Sequence, residues 1–304
     1  MPGTKPDSGQ ADNIPLAVGT IVVTVLALSL GDALIKQASS SFVLWQIFVL
    51  RSLIVLPLLV VFLAVTAPSA LRRPRGVGWV ALRSGMLVAM WVLYYLSLPE
   101  LALSAAAAAY YTLPIFITLF SALFIGDRIS ATGWAAVVIG FLGVVLILRP
   151  ATGDFNLYAL LPLAAAMLYA GAMLLTRTRC RGHHPVVLSL ALNIAFVVTG
   201  GIAAAAIWML PETARQGFLG APWAAMDLSG WVTLGLMAAS ILIGSLGAAI
   251  AYQKGPPSVV GSFDFAYIGF AVIWGLVFFG EIPDARAALG IAMIAGAGIL
   301  SLRS

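Results

Sequence analysis

The chain has 304 residues, of which 62% are hydrophobic and 9% are charged, with a formal net charge of +5. Soluble domains carry about 25% charged residues, so this composition excludes a soluble fold and predicts an all-α integral membrane protein. The single cysteine, Cys180, excludes an internal disulfide. His183 and His184 are adjacent and lack partners at metal-ligand spacing, so neither a metal nor another cofactor is predicted.

Residues 1–14 are polar and are predicted to form a cytoplasmic N-terminal tail, because they lack the basic segment and cleavage site of a signal peptide. Ten apolar stretches follow. Each is close to the roughly 20 residues that a helix needs to cross the hydrocarbon core. Several connecting loops are short, which makes consecutive helices antiparallel neighbours. The predicted transmembrane helices are 15–36, 42–65, 77–98, 102–125, 132–149, 156–177, 186–210, 229–254, 257–280 and 284–302.

Basic residues are scattered over the loops between these stretches, a pattern typical of membrane topology rather than of a nucleic-acid partner. With the N-terminus in the cytoplasm, ten basic residues fall on the cytoplasmic side and four on or near the other side. This bias predicts that both termini are cytoplasmic. The ten are Lys5, Arg72, Arg73, Arg75, Arg128, Arg177, Arg179, Arg181, Lys254 and Arg303; the four are Lys36, Arg149, Arg215 and Arg286.

The chain repeats itself. An apolar span followed by Gly126-Asp127 and a glycine-containing span recurs as an apolar span followed by Gly280-Glu281 and a second glycine-containing span. The sequence therefore predicts two five-helix repeats, residues 15–150 and 151–304. Five is an odd number, so the second repeat is inverted in the membrane, as in many secondary transporters that bind substrate near the midplane.

Aromatic residues concentrate toward the middle of several spans. Trp91, Tyr94 and Tyr95 share one helical face, and Tyr110 and Tyr111 precede Pro114, which frees a backbone carbonyl. A tyrosine hydroxyl finds no hydrogen-bond partner in lipid, so these rings are predicted to point into the bundle. There they would either line a substrate cavity or pack as core. The candidate substrate-binding residues are Trp91, Tyr94, Tyr95, Tyr110, Tyr111, Tyr169, Asp264 and Tyr267.

Ionisable residues inside a bilayer are costly and need a partner or a wet cavity. Asp32 and Lys36 lie four residues apart on one helix face, within reach of Arg51 on the next span. They would form either an ion or carboxylate site or a structural ion pair. Their position near the helix end favours the structural pair. Asp264 is a candidate for the cavity, and Arg83 would either pair with it or extend toward the membrane surface.

The ordered set of motifs resembles the EamA-type branch of the drug/metabolite transporter superfamily. The resemblance rests on Gly31 to Lys36, on Arg51, on the segment from Ala81 to Pro114, and on the two Gly-acid hinges. It departs from the family at Asp127, where glutamate is more common, and at Ile268, whose repeat partner is Pro114, so the two repeats are expected to bend differently. The resemblance implies a small-metabolite carrier, often an exporter, in a bacterial inner membrane. Within this branch, the chain most resembles aromatic amino-acid exporters of the YddG type.

An aromatic cavity with few fixed charges suits a zwitterion with an apolar side chain and suits a nucleotide-sugar poorly. The leading hypothesis is export of amino acids, or of similar small metabolites, by alternating access. Facilitated diffusion is favoured because Asp264 is the one serious candidate for a proton relay. Export of lipophilic cations, nucleoside transport and a non-transporting helical subunit are the alternatives. An enzyme is not expected, since no pair of mid-membrane His or Asp, no Ser with a nearby His and no metal set is present. The chain requires no oligomer.

Overall fold

A computed structural model of the protein describes residues 12–72, 76–126, 130–148 and 156–301. These residues form helices and no strands, because a backbone in lipid must satisfy its hydrogen bonds within each segment. The helices are α1 (Ile14–Ala38), α2 (Leu44–Thr66), α3 (Pro68–Arg72), α4 (Val77–Ser97), α5 (Leu103–Tyr110), α6 (Leu113–Phe120), α7 (Ala131–Leu148), α8 (Leu160–Thr178), α9 (Pro185–Trp208), α10 (Gly217–Gly220), α11 (Leu228–Lys254), α12 (Pro257–Asp264), α13 (Ala266–Phe279) and α14 (Ala285–Ser301).

Within the described residues, eight segments are long and apolar enough to cross a membrane. They match eight of the ten predicted spans. Two shorter apolar helices, Ala131–Leu146 and Ala285–Ala297, occupy the positions of the fifth and tenth. Asp127 of the first hinge and several of the basic residues used for orientation lie outside the described residues. Those basic residues are Lys5, Arg73, Arg75, Arg128, Arg149 and Arg303.

The fourth and ninth spans are both interrupted. Tyr111 and Thr112 separate α5 from α6, and Phe265 separates α12 from α13. Tyr111 and Phe265 are 154 residues apart, the same offset that separates Gly126 from Gly280. Pro114 explains the first interruption, since it lacks an amide hydrogen, but the second forms without a proline. The repeats were expected to bend differently, and the difference is in the length of the interruption. It is two residues long in the first repeat and one residue long in the second.

Helix pairing follows a symmetric scheme. α1 packs along α11, and α8 packs along α4; α1 also contacts α13, and α8 contacts α6. Exchanging the two predicted repeats converts each of these pairs into the other, while α2–α9 and α7–α14 map onto themselves. This is the pattern that two copies related by a two-fold axis would give. At the α7–α14 contact, a Cβ atom on Gly143 would lie 2.8 Å from the carbonyl oxygen of Gly290, so only glycine permits this approach.

The outer surface of the bundle is apolar, with many exposed leucine, valine and isoleucine side chains along the long helices. Such a surface fits a lipid bilayer rather than water. Trp79, Trp134, Trp208 and Trp231 are among the exposed residues and lie near helix ends. Tryptophan at these positions is typical of the membrane–water interface.

The bundle has a proximal end and a distal end. The proximal end is where α1 begins, near Asn13, and it also contains the end of α11, because the amide of Asn13 donates to the carbonyl of Lys254 at 2.8 Å. The distal end is where α1 finishes. It contains the loop between α4 and α5, because Lys36 Nζ donates to the carbonyl of Leu101 at 2.6 Å.

Candidate functional site

An enclosed cavity lies where the two interrupted spans meet α1, α4 and α8. Its volume is about 20 Å³, which is room for about one water molecule. The interruptions themselves touch here, since the rings of Tyr111 and Phe265 have centroids 5.7 Å apart. This central cavity is lined by Val25, Leu28, Asp32, Trp91, Tyr94, Tyr110, Tyr111, Leu113, Tyr169, Asp264 and Tyr267.

The structure brings seven of the eight candidate substrate-binding residues to this cavity. Tyr95 is the exception. It lies behind the wall, buried, with its ring 4.9 Å from that of Trp91 and 6.0 Å from that of Phe48. Successive helical residues point about 100° apart, so the edge of the cavity passes between Tyr94 and Tyr95.

The aromatic rings form one continuous network. Tyr110 is central, with ring centroids 5.2 Å from Tyr94, 5.8 Å from Tyr169 and 5.7 Å from Tyr111. Tyr111 stacks on Tyr267 at 5.2 Å with an interplanar angle of 30°. Offset and edge-to-face geometries of this kind stabilise aromatic clusters. The flat faces converge on the cavity from both predicted repeats, on α4, α5, α8 and α13.

Asp32 lines the cavity and is not the partner of Lys36, which corrects that part of the predicted Asp32–Lys36–Arg51 cluster. Its Oδ2 accepts a hydrogen bond from the Tyr267 hydroxyl. Tyr94 and Tyr267 are joined at 2.9 Å. A hydroxyl has one hydrogen, so the chain of donation runs from Tyr94 through Tyr267 to Asp32.

Lys36 pairs with a different acid. Lys36 Nζ lies 2.7 Å from Glu281 Oε1, a residue 245 positions away. Arg51 is buried, and its guanidinium lies over the rings of Phe48 and Phe196, at 5.4 and 4.9 Å from their centroids. The spacing along α1 suggested the wrong partner for Lys36 because the approach of the α13 end was not visible in the sequence.

Asp264 is the second buried carboxyl of the cavity. Its Oδ2 accepts from the Tyr252 hydroxyl at 2.5 Å. Tyr252 was not predicted as a site residue, although its ring also contacts that of Tyr169, with centroids 6.2 Å apart. The sequence indicated Asp264 as the one serious candidate for a cavity carboxyl, but Asp32 lines the same cavity. Each is bound by a different tyrosine.

A wide vestibule of about 770 Å³ opens at the distal end, and Lys36, Glu100 and Phe279 are among its lining residues. Lys36 follows Asp32 by one turn of α1, so the vestibule and the central cavity are about 6 Å apart along that helix. Glu281 lies between the vestibule and the central cavity. It pairs with Lys36 and accepts from the amide of Leu103 at 2.8 Å. We call this set of contacts the distal latch.

The proximal end is closed by a second ion-pair cluster. Asp12 carboxylate oxygens lie 3.0 Å from Arg177 Nη1 and 2.6 Å from Arg181 Nη2. The hydrogen bond from Arg177 is the main reason that the pKa of Asp12 is held below its ordinary value. Gln253 Nε2 donates to the carbonyls of Cys180 and His183 at 3.2 and 2.8 Å. We call the contacts of Asp12 the proximal latch.

Comparison with known proteins places this geometry in context. The model of the EamA-like transporter family matches residues 15–149, nearly the bounds of the first predicted repeat. A solved crystal structure shares the fold with a TM-score of 0.66 at 20% identity, covering 93% of this chain and 96% of that one.

Three bacterial transporters are similar in sequence. A riboflavin transporter of Rhizobium johnstonii is 30% identical over 66% of this chain, and the match spans 61% of that relative, less than two thirds of its length. The pseudopaline exporter CntI of Pseudomonas aeruginosa is 28% identical over 93% of this chain and 96% of the exporter. A riboflavin transporter of Vibrio cholerae is 27% identical over 73% and 70%.

These relatives are riboflavin transporters and a pseudopaline exporter, so they do not specifically support the resemblance to aromatic amino-acid exporters of the YddG type. The family model matches less than half of the chain, and the similarity to the Pseudomonas exporter extends over nearly all of it. These matches show that the chain is similar to EamA-like transporters.

Proposed function

We propose that this protein carries small amphipathic metabolites across a bacterial inner membrane by alternating access, with apolar and aromatic amino acids as its leading substrates. The observation that carries the proposal is the central cavity, where aromatic faces from both predicted repeats surround two buried carboxyls. In many secondary transporters the substrate site lies near the membrane midplane at interrupted helices. The interruption exposes backbone polar groups to the cavity.

The lining matches the two parts of such a substrate. Tyrosine and tryptophan faces hold an apolar or aromatic side chain, and they also attract an ammonium group. The carboxyls of Asp32 and Asp264 and the hydroxyls bound to them offer oxygen acceptors for that ammonium. A diphosphate would find no cluster of cations among the residues that line this cavity.

The conformation is one in which the cavity is closed. A volume of about 20 Å³ is far below the several hundred Å³ of a typical ligand pocket, so the helices must separate before substrate enters. The distal vestibule already opens to the surface, whereas the proximal latch is formed. With the proximal end in the cytoplasm, the transport cycle opens the two latches in turn, as the halves rock about the hinges at Gly126 and Gly280.

Both hinge glycines have the backbone geometry that this motion requires. Gly126 has φ of 85° and Gly280 has φ of 63°, values in the left-handed region that favours glycine. The equivalent position in each repeat thus ends its interrupted span in the same way. We infer that these two positions absorb the change in backbone angle when the cavity opens.

A second candidate is transport of a flat heteroaromatic metabolite such as riboflavin. Two of the relatives are riboflavin transporters, and the near-parallel rings of Tyr111 and Tyr267 have faces suited to stacking on a planar ligand. This candidate makes no use of the buried carboxyls, which separates it from the first.

Counterflow into proteoliposomes tests both candidates. Vesicles are loaded with unlabelled phenylalanine, riboflavin or a lipophilic cation. Labelled phenylalanine, tryptophan, methionine, riboflavin or the cation is then added outside, with and without a pH gradient. Accumulation of the amino acids in phenylalanine-loaded vesicles supports the leading proposal, and accumulation of riboflavin in riboflavin-loaded vesicles supports the second. If only the cation moves, export of lipophilic cations replaces both. If a folded protein moves none of them, the substrate proposals fail.

The pH gradient addresses coupling. Facilitated diffusion was favoured because one mid-membrane carboxyl was expected, and the presence of Asp32 beside Asp264 removes that reason. We propose that these carboxyls bind and release protons during the transport cycle, so that proton movement is coupled to substrate movement. Accumulation that needs the gradient, with proton flux tracking substrate flux, supports coupling; accumulation that ignores the gradient contradicts it.

A further inference from the structure

Arg83 occupies an unusual environment for a cation. It lies on α4 and its side chain is buried, with a relative exposure of 1%. Its Nε donates to Thr176 Oγ1 at 2.6 Å, whereas Nη1 is buried with no hydrogen-bond partner. Among the described residues no carboxylate lies within ion-pair distance of it. It therefore neither pairs with Asp264 nor extends to the membrane surface, the two outcomes that the sequence suggested.

Burial of an unpaired charge is expensive, because the desolvation cost is not offset. Arg51 illustrates the usual compensation, since its guanidinium lies between two aromatic rings. Arg83 has no ring contact of this kind in the described part of the chain. A guanidinium kept in this position without a carboxylate partner among the described residues has the right chemistry to receive an anion from a ligand.

The surroundings of Arg83 connect it to the proposed substrate site. Arg83 lines a second small cavity of about 20 Å³, together with Ser245 and Met173. Leu28, Trp91 and Tyr169 line both this cavity and the central one, so three side chains form the partition. Movement of these side chains would join the two spaces.

The depth of Arg83 also matches that of Asp264. Arg83 is in the second turn of α4 and Asp264 is at the end of the second turn of α12, and both helices begin at the proximal end. Each residue therefore lies about 10 Å inside the start of its helix. A substrate that carries an ammonium and a carboxylate on one carbon needs a cation and a carboxyl at one depth.

We propose that Arg83 is the carboxylate-binding residue of the substrate site, so that the natural substrates are carboxylates, with α-amino acids as the leading class. The inference rests on the proposed transport function and refines it. Arg83 holds the substrate carboxylate through charge-assisted hydrogen bonds when the partition of Leu28, Trp91 and Tyr169 opens. Asp264 faces the amine from the other side of Tyr169. Neutral flavins and simple lipophilic cations gain nothing from this residue.

Thermal stabilisation of the purified protein in detergent at neutral pH provides a test that is independent of transport. The probes are 3-phenylpropionate and 3-phenylpropanamide, which share the ring and chain and differ in the carboxylate. We expect the acid to stabilise the wild-type protein and to bind at least about tenfold more tightly than the amide, because a hydrogen-bonded ion contact is lost in the amide. Equal stabilisation by both, or by neither, would overturn the inference.

Variants then locate the effect. Arg83→Gln is expected to abolish the preference for the acid, and Arg83→Lys to retain part of it, because the charge stays but the planar fork is lost. Arg51→Gln is the matched control, since it removes another buried guanidinium that lines neither cavity. Loss of the preference in Arg51→Gln but not in Arg83→Gln would contradict the assignment. Should Arg83→Gln fail to fold, Arg83→Lys decides, because a preference for the acid that is unchanged from the wild type would overturn the assignment.

The same experiments distinguish failure of the amino-acid transport proposal from failure of the carboxylate site at Arg83. If no amino acid is transported in counterflow but the acid still binds in an Arg83-dependent manner, the amino-acid proposal fails and the carboxylate site stands. If amino acids are transported while the acid and the amide bind equally, the carrier function stands and Arg83 has no part in recognition.

Discussion

At the scale of single residues, the two cavity carboxyls are held differently. Asp32 receives the end of a hydroxyl chain from Tyr94 and Tyr267, whereas Asp264 is bound by Tyr252 alone. Both are almost completely buried. A carboxyl in such a place is best used against a charged part of the substrate, because the low dielectric strengthens that contact.

The first prediction concerns these carboxyls. Asp264→Asn is expected to lower counterflow of phenylalanine at least about tenfold by removing a charged partner of the ammonium, while leaving riboflavin transport, if present, unchanged. Initial rates over a range of substrate concentrations provide the measurement. Glu100→Gln, in the open vestibule, serves as the control. An equal loss in both variants would mean that the effect is not local to the cavity.

The second prediction contrasts two neighbouring aromatic positions. Tyr111 lines the cavity and Tyr95 lies behind it. Tyr111→Ala is expected to change the order in which amino acids compete for transport, because it removes the stacking surface beside Tyr267. Tyr95→Ala is expected to lower the free energy of unfolding by roughly 3–5 kcal/mol without changing the order in which amino acids compete. Two variants that only destabilise would favour a helical subunit with no transport site.

At the scale of elements, α1 is positioned by close contact with α11. A Cβ atom on Gly244 or Gly247 of α11 would collide with Leu28 or Thr24 of α1. Glycine in these positions allows the two helices to approach and gain van der Waals contact. Since α1 carries Asp32 and Lys36, this packing sets the position of both the central cavity and the distal latch.

The third prediction uses two glycines of the same helix. Gly244→Val is expected to destabilise the protein by about 1–3 kcal/mol through overpacking and to reduce transport, because α1 and Asp32 are displaced. Gly235→Val, where nothing lies within 4 Å, provides the matched control. Melting temperatures and counterflow rates of the two variants are compared. Similar losses in both would show that the valine side chain, rather than the α1 contact, is responsible.

At the scale of the whole molecule, the two latches lie at opposite ends of the bundle. The distal latch joins α1 to the segments that follow α4 and α13. The proximal latch joins the segment before α1 to the end of α8. Each is partly exposed, so each contributes a modest free energy. The proposed transport cycle requires latches of this strength, since neither end may be permanently sealed.

The fourth prediction tests the proximal latch with the single native thiol. Cys180 is buried beside this latch, and burial raises the pKa of its thiol, so labelling by a maleimide is expected to be slow in the wild type. Asp12→Asn is expected to accelerate labelling several-fold by releasing Arg177 and Arg181. Glu281→Gln, at the distal end, is the control and is expected to leave it unchanged or slower. Unchanged labelling in Asp12→Asn would mean that the pair does not hold this end closed.

The pH dependence of the proximal latch follows from the direction in which the pKa of Asp12 is shifted. The folded-state pKa of Asp12 is below its ordinary value of 3.8, mainly because Arg177 donates to the ionised carboxylate. The contact therefore stabilises the closed end at every pH above about 3.8, and it weakens as the pH falls through the lowered value. The difference in labelling rate, corrected for thiolate fraction, is expected to stay constant through the neutral range and to shrink in high salt.

Much of the site could be predicted from sequence, and the reason is the solvent. In lipid, tyrosine hydroxyls and carboxyls have no partners, so mid-span residues such as Tyr110, Tyr169 and Asp264 had to face inward, and they line the cavity. The same constraint predicted the helical class. Repeated motifs supplied the equivalence of Gly126 and Gly280, and both have left-handed backbone angles.

The tertiary structure alone decided which groups meet. Spacing along one helix suggested Asp32 as the partner of Lys36, but the partner is Glu281, and Asp32 is bound by Tyr267. Contacts between residues more than 200 positions apart depend on how the predicted repeats dock, which periodicity within a span does not encode. The same holds for the unpaired guanidinium of Arg83. Composition determined that this chain folds as helices in a membrane, and helix docking determined which of its few polar groups share a cavity.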